Sequence, residues 1–202
     1  MKSILGSHPA ENTSRHAPVS TPRLVFLVGF MGAGKTSVGK ALAHQLGWQF
    51  EDLDDRIVER EQRPVEQIFR ESGESEFRRA EHQALRALLG ETGQVARVVA
   101  LGGGAFVQPE NATLLAQSEA VTVFLDAPVE MLYQRCRQDG QLERPLRKSE
   151  LEFRELYEIR RPHYMKASAR VITESLDVET VAQAVAAALG LQGNQSFRGD
   201  GT

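Results

Sequence analysis

The chain has 202 residues, of which 24 are Lys or Arg and 27 are Asp or Glu; 41% are hydrophobic, and the formal net charge is -3. That length fits one compact domain with short tails and excludes a large multidomain machine, while the nearly balanced charge gives no general attraction to nucleic acid or to an anionic membrane. The lone cysteine, Cys136, excludes an intrachain disulfide, and no apolar run approaches the ~18 residues of a membrane span, so a soluble cytoplasmic protein is expected. Residues 1–22 are rich in Ser, Thr, Pro, His and Asn without the apolar stretch of a secretory signal, and they read as a flexible tail. Residues 191–202, glycine-containing and poor in apolar side chains, read the same way. Residues 23–190 remain as the folded domain. There, strand-like runs alternate with helical periodicity, which predicts an α/β fold with helices on both faces of a parallel sheet. Strands are expected at Leu24–Val28, Trp48–Asp52, Val95–Leu101, Val121–Leu125 and Arg170–Thr173. Helices are expected at Lys35–Leu46, Glu74–Leu89, Val129–Arg137, Leu151–Lys166 and Val178–Leu189. The polar segment at 138–148 is long enough to act as a covering lid.

Directly after the first strand stands Gly29-Phe30-Met31-Gly32-Ala33-Gly34-Lys35-Thr36, a complete G-x-x-x-x-G-K-T pattern leading into a helix. Its glycines let the backbone turn tightly and aim N–H groups at phosphate oxygens, and the helix N-terminus adds a positive potential. Gly32, Ala33, Gly34, Lys35, Thr36 and Ser37 are therefore the expected nucleotide-binding set. Lys35 supplies a point charge to the β- and γ-phosphates, and the Thr36 hydroxyl is a ligand for the Mg2+ that accompanies ATP. GTPases, motors and small-molecule kinases share this loop. The short chain and the absence of an Asn-Lys-x-Asp guanine-reading motif favour a compact kinase.

The acceptor side decides what receives the phosphoryl group. Asp52 and Asp54 fall at the C-terminal end of the second strand, where open α/β sheets bind ligands. If the chain stays extended, period-two geometry puts them on one side, one carboxylate serving magnesium and the other holding an acceptor hydroxyl. The same residues also fit a helix N-cap with an acidic first turn. Arg78 and Arg79 follow on a helix, with Glu81 placed to hold Arg78 so that its guanidinium offers a fork to a carboxylate. Gly102-Gly103-Gly104 ends the third strand, and the missing side chains would let a substrate lie against the backbone. Arg144 lies in the polar lid segment, where it could close on the transferred phosphoryl group.

Taken together these motifs resemble shikimate kinase, a family of small nucleoside-monophosphate-kinase-like enzymes. The resemblance is carried by Gly29 to Thr36, Asp52-Leu53-Asp54, Gly73 with Phe77-Arg78-Arg79, Gly102-Gly103-Gly104, Arg144-Pro145-Leu146 and Arg160-x-Pro162-x-Tyr164. It implies a three-layer P-loop kinase fold with a five-stranded parallel sheet of order 2-3-1-4-5. It also implies transfer of the ATP γ-phosphoryl group to the 3-hydroxyl of shikimate, by a monomer, in the pathway to aromatic amino acids. Asp54 would then bind the acceptor hydroxyls and act as base or orienter, and Arg78 and Arg160 would hold the carboxylate. Gly102, Gly103 and Gly104 would contact the ring, Asp52 would join Thr36 at Mg2+, Lys35 and Arg144 would be catalytic, and Arg137 would stack on adenine. The sequence departs from the family at Arg147, usually apolar, and at Ile172-Thr173-Glu174-Ser175, which matches the adenine-side segment loosely. Gluconate kinase or another small kinase, and a non-catalytic kinase-like module that binds nucleotide or a partner protein, are the competing readings.

Overall fold

The computed structural model describes residues 22–91, 95–138 and 149–191. Five strands form one parallel sheet: β1 (Leu24–Val28), β2 (Gln49–Asp52), β3 (Arg97–Ala100), β4 (Val121–Asp126) and β5 (Ala169–Ile172), in the order β2-β3-β1-β4-β5. All five side chains of β1 are buried. Successive strand residues point to opposite faces, so both faces of the sheet must be covered, as the continuous apolar run Leu24-Val25-Phe26-Leu27-Val28 foretells.

Helix α1 (Lys35–Leu46) starts at the end of the glycine loop and stops at Gly47, which takes a left-handed φ of 67°. It packs against α7 (Val178–Ala188) and over β2 and β3. Helix α2 (Leu53–Glu61) packs on α3 (Val65–Gly90), while α4 (Pro109–Ala116), α5 (Val129–Gln138) and α6 (Glu150–Tyr164) complete the helical set. Ser149 and Asp177 cap α6 and α7, their side chains accepting from Glu152 N at 3.2 Å and Thr180 N at 2.7 Å. Beneath the loop, Phe30 meets Phe153 and Tyr157 edge-on, with centroids 5.0 and 5.4 Å apart.

Several expectations change. Helix α3 begins at Val65, not Glu74, and bends where Gly73 adopts φ 80° and ψ 174°. The stretch before Gly73 has only Val65 and Ile68 buried, too few apolar positions to show periodicity. A 3-10 turn at Ala105–Val107 and the short helix α4 were not anticipated, although Pro109 at the first turn of α4 is a start signal. Strand β3 is shorter than Val95–Leu101, because Val95 is exposed and lies outside the ladder. The tails, apart from Pro22 and Leu191, and the lid segment beyond Gln138 fall outside the described residues. No helix among the described residues is long and apolar enough to cross a membrane.

Candidate active site

Strand β1 has β3 on one side and β4 on the other, so the chain that leaves its C-terminal end emerges where the strand order reverses. The glycine loop occupies that switch point. A cleft of about 750 Å³ opens there, lined by the loop, Asp52, Asp54, Gly102, Gly103 and, across from them, Thr173, Leu176 and Asp177. Lys35 Nζ donates to Gly29 O at 3.0 Å and Phe30 O at 2.9 Å, which folds the lysine over the loop. Gly32 takes φ 75°, and a Cβ there would stand 2.7 Å from Leu132 O and 2.9 Å from Cys136 Sγ. Only glycine permits this approach of the loop to α5. Arg135 closes the same seam, its Nη1 donating to Gly32 O at 3.3 Å.

The two carboxylates reach the cleft by a different route from the one expected. Strand β2 ends at Asp52, and Asp54 already lies in the first turn of α2, so the extended spacing does not persist. Asp52 is the helix cap: its Oδ1 accepts from Asp54 N at 3.1 Å. Its Oδ2 accepts from the Thr36 hydroxyl at 2.8 Å, tying strand end to phosphate loop. Capping and site geometry are thus one arrangement. Two hard oxygen donors side by side at the mouth of a phosphate loop fit Mg2+, which takes few protein ligands and shares the rest of its shell with phosphates and water.

Two of the three glycines after β3, Gly102 and Gly104, leave spaces already filled by charged side chains. A Cβ on Gly102 would lie 2.9 Å from Asp54 Oδ1 and 3.2 Å from Glu81 Oε1; one on Gly104 would lie 2.5 Å from Arg78 Nη2. A Cβ on Gly103 would have Arg160 Nη1 at 3.8 Å and Gly29 O at 3.8 Å. Asp54, Arg78 and Arg160 therefore converge on consecutive residues beside the phosphate loop. Arg78 is gripped from two sides: Glu81 Oε2 accepts from Nη1 at 2.9 Å and Glu74 Oε1 from Nη2 at 3.1 Å. Arg160 lies over the Phe30 ring at 5.9 Å. Its neighbour Arg161 is used differently, held by Asp126 at 2.8 Å.

The chain matches the shikimate kinase family model over residues 31–190. It belongs to the shikimate kinase family. It is similar to the shikimate kinases of Persephonella marina (41% identical, covering 75% of this chain and 90% of that protein) and Geobacter sulfurreducens (42% identical, covering 83% and 91%). Among solved structures it resembles shikimate kinase from Acinetobacter baumannii in complex with shikimate, 37% identical, with a TM-score of 0.74, covering 82% of this chain and 91% of that one. The five-stranded order found here is that of this family of P-loop kinases. The chain is accordingly an ATP-dependent kinase of shikimate, and the gluconate kinase alternative falls.

As a shikimate kinase site, the cleft gathers Gly32, Ala33, Gly34, Lys35, Thr36, Ser37, Asp52, Asp54, Gly102 and Gly103 along its lining. Arg78, Gly104 and Arg160 stand at the glycine segment. Arg137 is not brought to the lining: it is exposed on α5, two residues and about half a turn from Arg135, which does line the cleft. Arg144 lies outside the described residues. Glu81 is a site carboxylate that the sequence presents only as a holder of Arg78. It is fully buried, and Oε1 has no hydrogen-bond partner among the described residues. Burial pushes its carboxyl up to about 7; the Arg78 and Arg160 cations oppose this and the Asp54 carboxylate adds to it. The clue is its place in the buried stripe Phe77, Ala80, Ala84, Leu85 and Leu88, where an acid has no packing reason to be. Arg79, paired with Glu76 on the exposed face, has no part in the site.

Proposed function

We propose that ATP lies along Gly32 to Ser37 and that shikimate sits over Gly102, Gly103 and Gly104, with its carboxylate between Arg78 and Arg160. The convergence of Asp54, Arg78 and Arg160 on three consecutive glycines carries this reading. Asp54 holds the 3-hydroxyl and accepts its proton as the oxygen attacks the γ-phosphorus. The new bond joins that oxygen to phosphorus, the bond to the β-phosphate oxygen breaks, and ADP leaves with the electron pair. Lys35 and the lid Arg144 neutralise charge on the group in transfer, for which positioned cations are the main source of acceleration. Thr36 and Asp52 hold Mg2+, which offsets phosphate charge when bound. Thr173, Leu176 and Asp177 line the far side of the cleft for the base, with Arg137 proposed for its open face.

The enzyme is read as a monomer, and its single cysteine, which is buried, fits a reducing cytoplasm. ADP release is measured with shikimate, gluconate and nucleoside monophosphates as acceptors. Turnover confined to shikimate, with the product phosphorylated at the 3-position, is the expected outcome; turnover with gluconate instead would overturn the assignment.

A further inference from the structure

Helix α6 reaches the glycine segment twice, one turn apart. Arg160 Nη1 stands 3.8 Å from a Cβ built on Gly103, and four residues on, the Tyr164 hydroxyl donates a hydrogen bond to the Gly103 carbonyl oxygen. The Tyr164 ring is fully buried and lies against Phe124 of β4, with centroids 5.4 Å apart and planes at 31°. The sheet, not the glycine segment, therefore sets where this hydroxyl stands.

The carbonyls of the segment divide unequally. Gly102 O accepts from Ala105 N at 3.0 Å and Gly104 O from Val107 N at 3.2 Å, so the 3-10 turn takes both. Gly103 O falls between them and receives its donor from α6. A planar trans peptide points its N–H opposite to its C=O, so holding Gly103 O aims the Gly104 N–H away from Tyr164. A peptide flanked by glycines on both sides has little steric restraint of its own. The same few ångströms hold Arg78 in front of Gly104 and the phosphate loop beside Gly103.

We propose that Tyr164 is a positioning residue: by holding the Gly103 carbonyl it fixes the Gly103-Gly104 peptide against which the anionic acceptor settles. The role rests on the reading that Arg78 and Arg160 take the acceptor carboxylate. It acts through the peptide and does not touch the reacting atoms.

Tyr164→Phe removes one oxygen and keeps the ring against Phe124, and Arg160→Lys is assayed beside it. In Tyr164→Phe the KM for shikimate should rise about five- to tenfold, the size of one lost neutral hydrogen bond. Turnover should stay within about twofold and the Kd for ADP should be unchanged, whereas a general structural role would move all three constants. A raised shikimate KM in both variants supports the proposal. A raised KM in Arg160→Lys alone overturns the role of Tyr164 and leaves the acceptor reading standing. An unchanged KM in Arg160→Lys overturns the acceptor reading, and the role of Tyr164 falls with it. A lowered melting temperature in Tyr164→Phe with equal losses toward ATP and shikimate also overturns the proposal.

Discussion

Arg78 and Glu81 lie three residues apart on α3, and the guanidinium Nη1 is 2.9 Å from a carboxylate that has no solvent exposure. The pair works as one unit. Glu81 is stabilised by the cation it orients, and Arg78 keeps its fork turned toward Gly104. The Glu81 carboxyl titrates at about 7 against an ordinary 4.5. Because the folded chain holds this proton to higher pH than the unfolded chain, the contribution to stability is complete below about pH 4.5 and is lost as pH rises to about 7. A shift of that size corresponds to about 3 kcal/mol. Glu81→Gln removes the titration. Melting curves at pH 5 and pH 8 should show the parent losing ground to the variant as pH rises, and parallel behaviour would mean that Glu81 titrates as an ordinary surface acid does.

Gly104→Ala tests whether Arg78 binds the acceptor. The new methyl group would stand 2.5 Å from Arg78 Nη2, the far end of a flexible side chain, so the chain can yield without moving backbone. Moving the guanidinium also strips the buried Glu81 carboxylate of its cation, so the melting temperature should fall, most above about pH 7 where that group is charged, and the KM for shikimate should rise at least about tenfold as Arg78 is displaced, in line with the value of a charged hydrogen bond. An unaltered KM would remove Arg78 from acceptor binding.

Asp54→Asn keeps the shape of the first turn of α2 and removes the proposed proton acceptor. Turnover should drop by about 100-fold or more, the usual weight of general base catalysis, with ATP affinity nearly intact. Weaker nucleotide binding with normal turnover would contradict the assigned role. The substitution also removes one of the charges that raise the Glu81 carboxyl, so that group should titrate lower in the variant.

Asp52 ties three features together: the end of β2, the cap of α2 and the Thr36 hydroxyl. Asp52→Ala should cost about 1 kcal/mol through the lost cap. It should also raise the Mg2+ concentration needed for half-maximal activity, and Thr36→Ala should raise that requirement without the loss of stability. Magnesium dependence identical to that of the parent in both variants would place the ion elsewhere.

Arg144→Ala tests the lid. A cation that meets the phosphoryl group only in flight should affect turnover by about a thousandfold and ground-state shikimate binding little. Kinetics equal to the parent would take Arg144 out of the mechanism.

Much of the sheet and the phosphate loop is legible in the sequence. Strand β1 and helix α1 have the bounds expected from the apolar run Leu24–Val28 and from Lys35–Leu46, and the glycine pattern between them carries its own backbone requirement. Those are local properties, set by adjacent residues. The acceptor pocket is otherwise. Its residues lie on α2, α3, the β3 exit and α6, far apart in the chain, and its composition was legible mainly through resemblance to a family. Of two adjacent arginines on α6, Arg160 stands by Gly103 while Arg161 is held by Asp126, a contact across 35 residues. That Gly102 and Gly104 make room for the side chains of Asp54, Glu81 and Arg78, and that Tyr164 holds the peptide between them, followed only from packing. Local pattern determined the nucleotide cradle because neighbouring backbone forms it; tertiary structure decided the acceptor pocket because burial and ion pairing between distant elements assign each charge its direction.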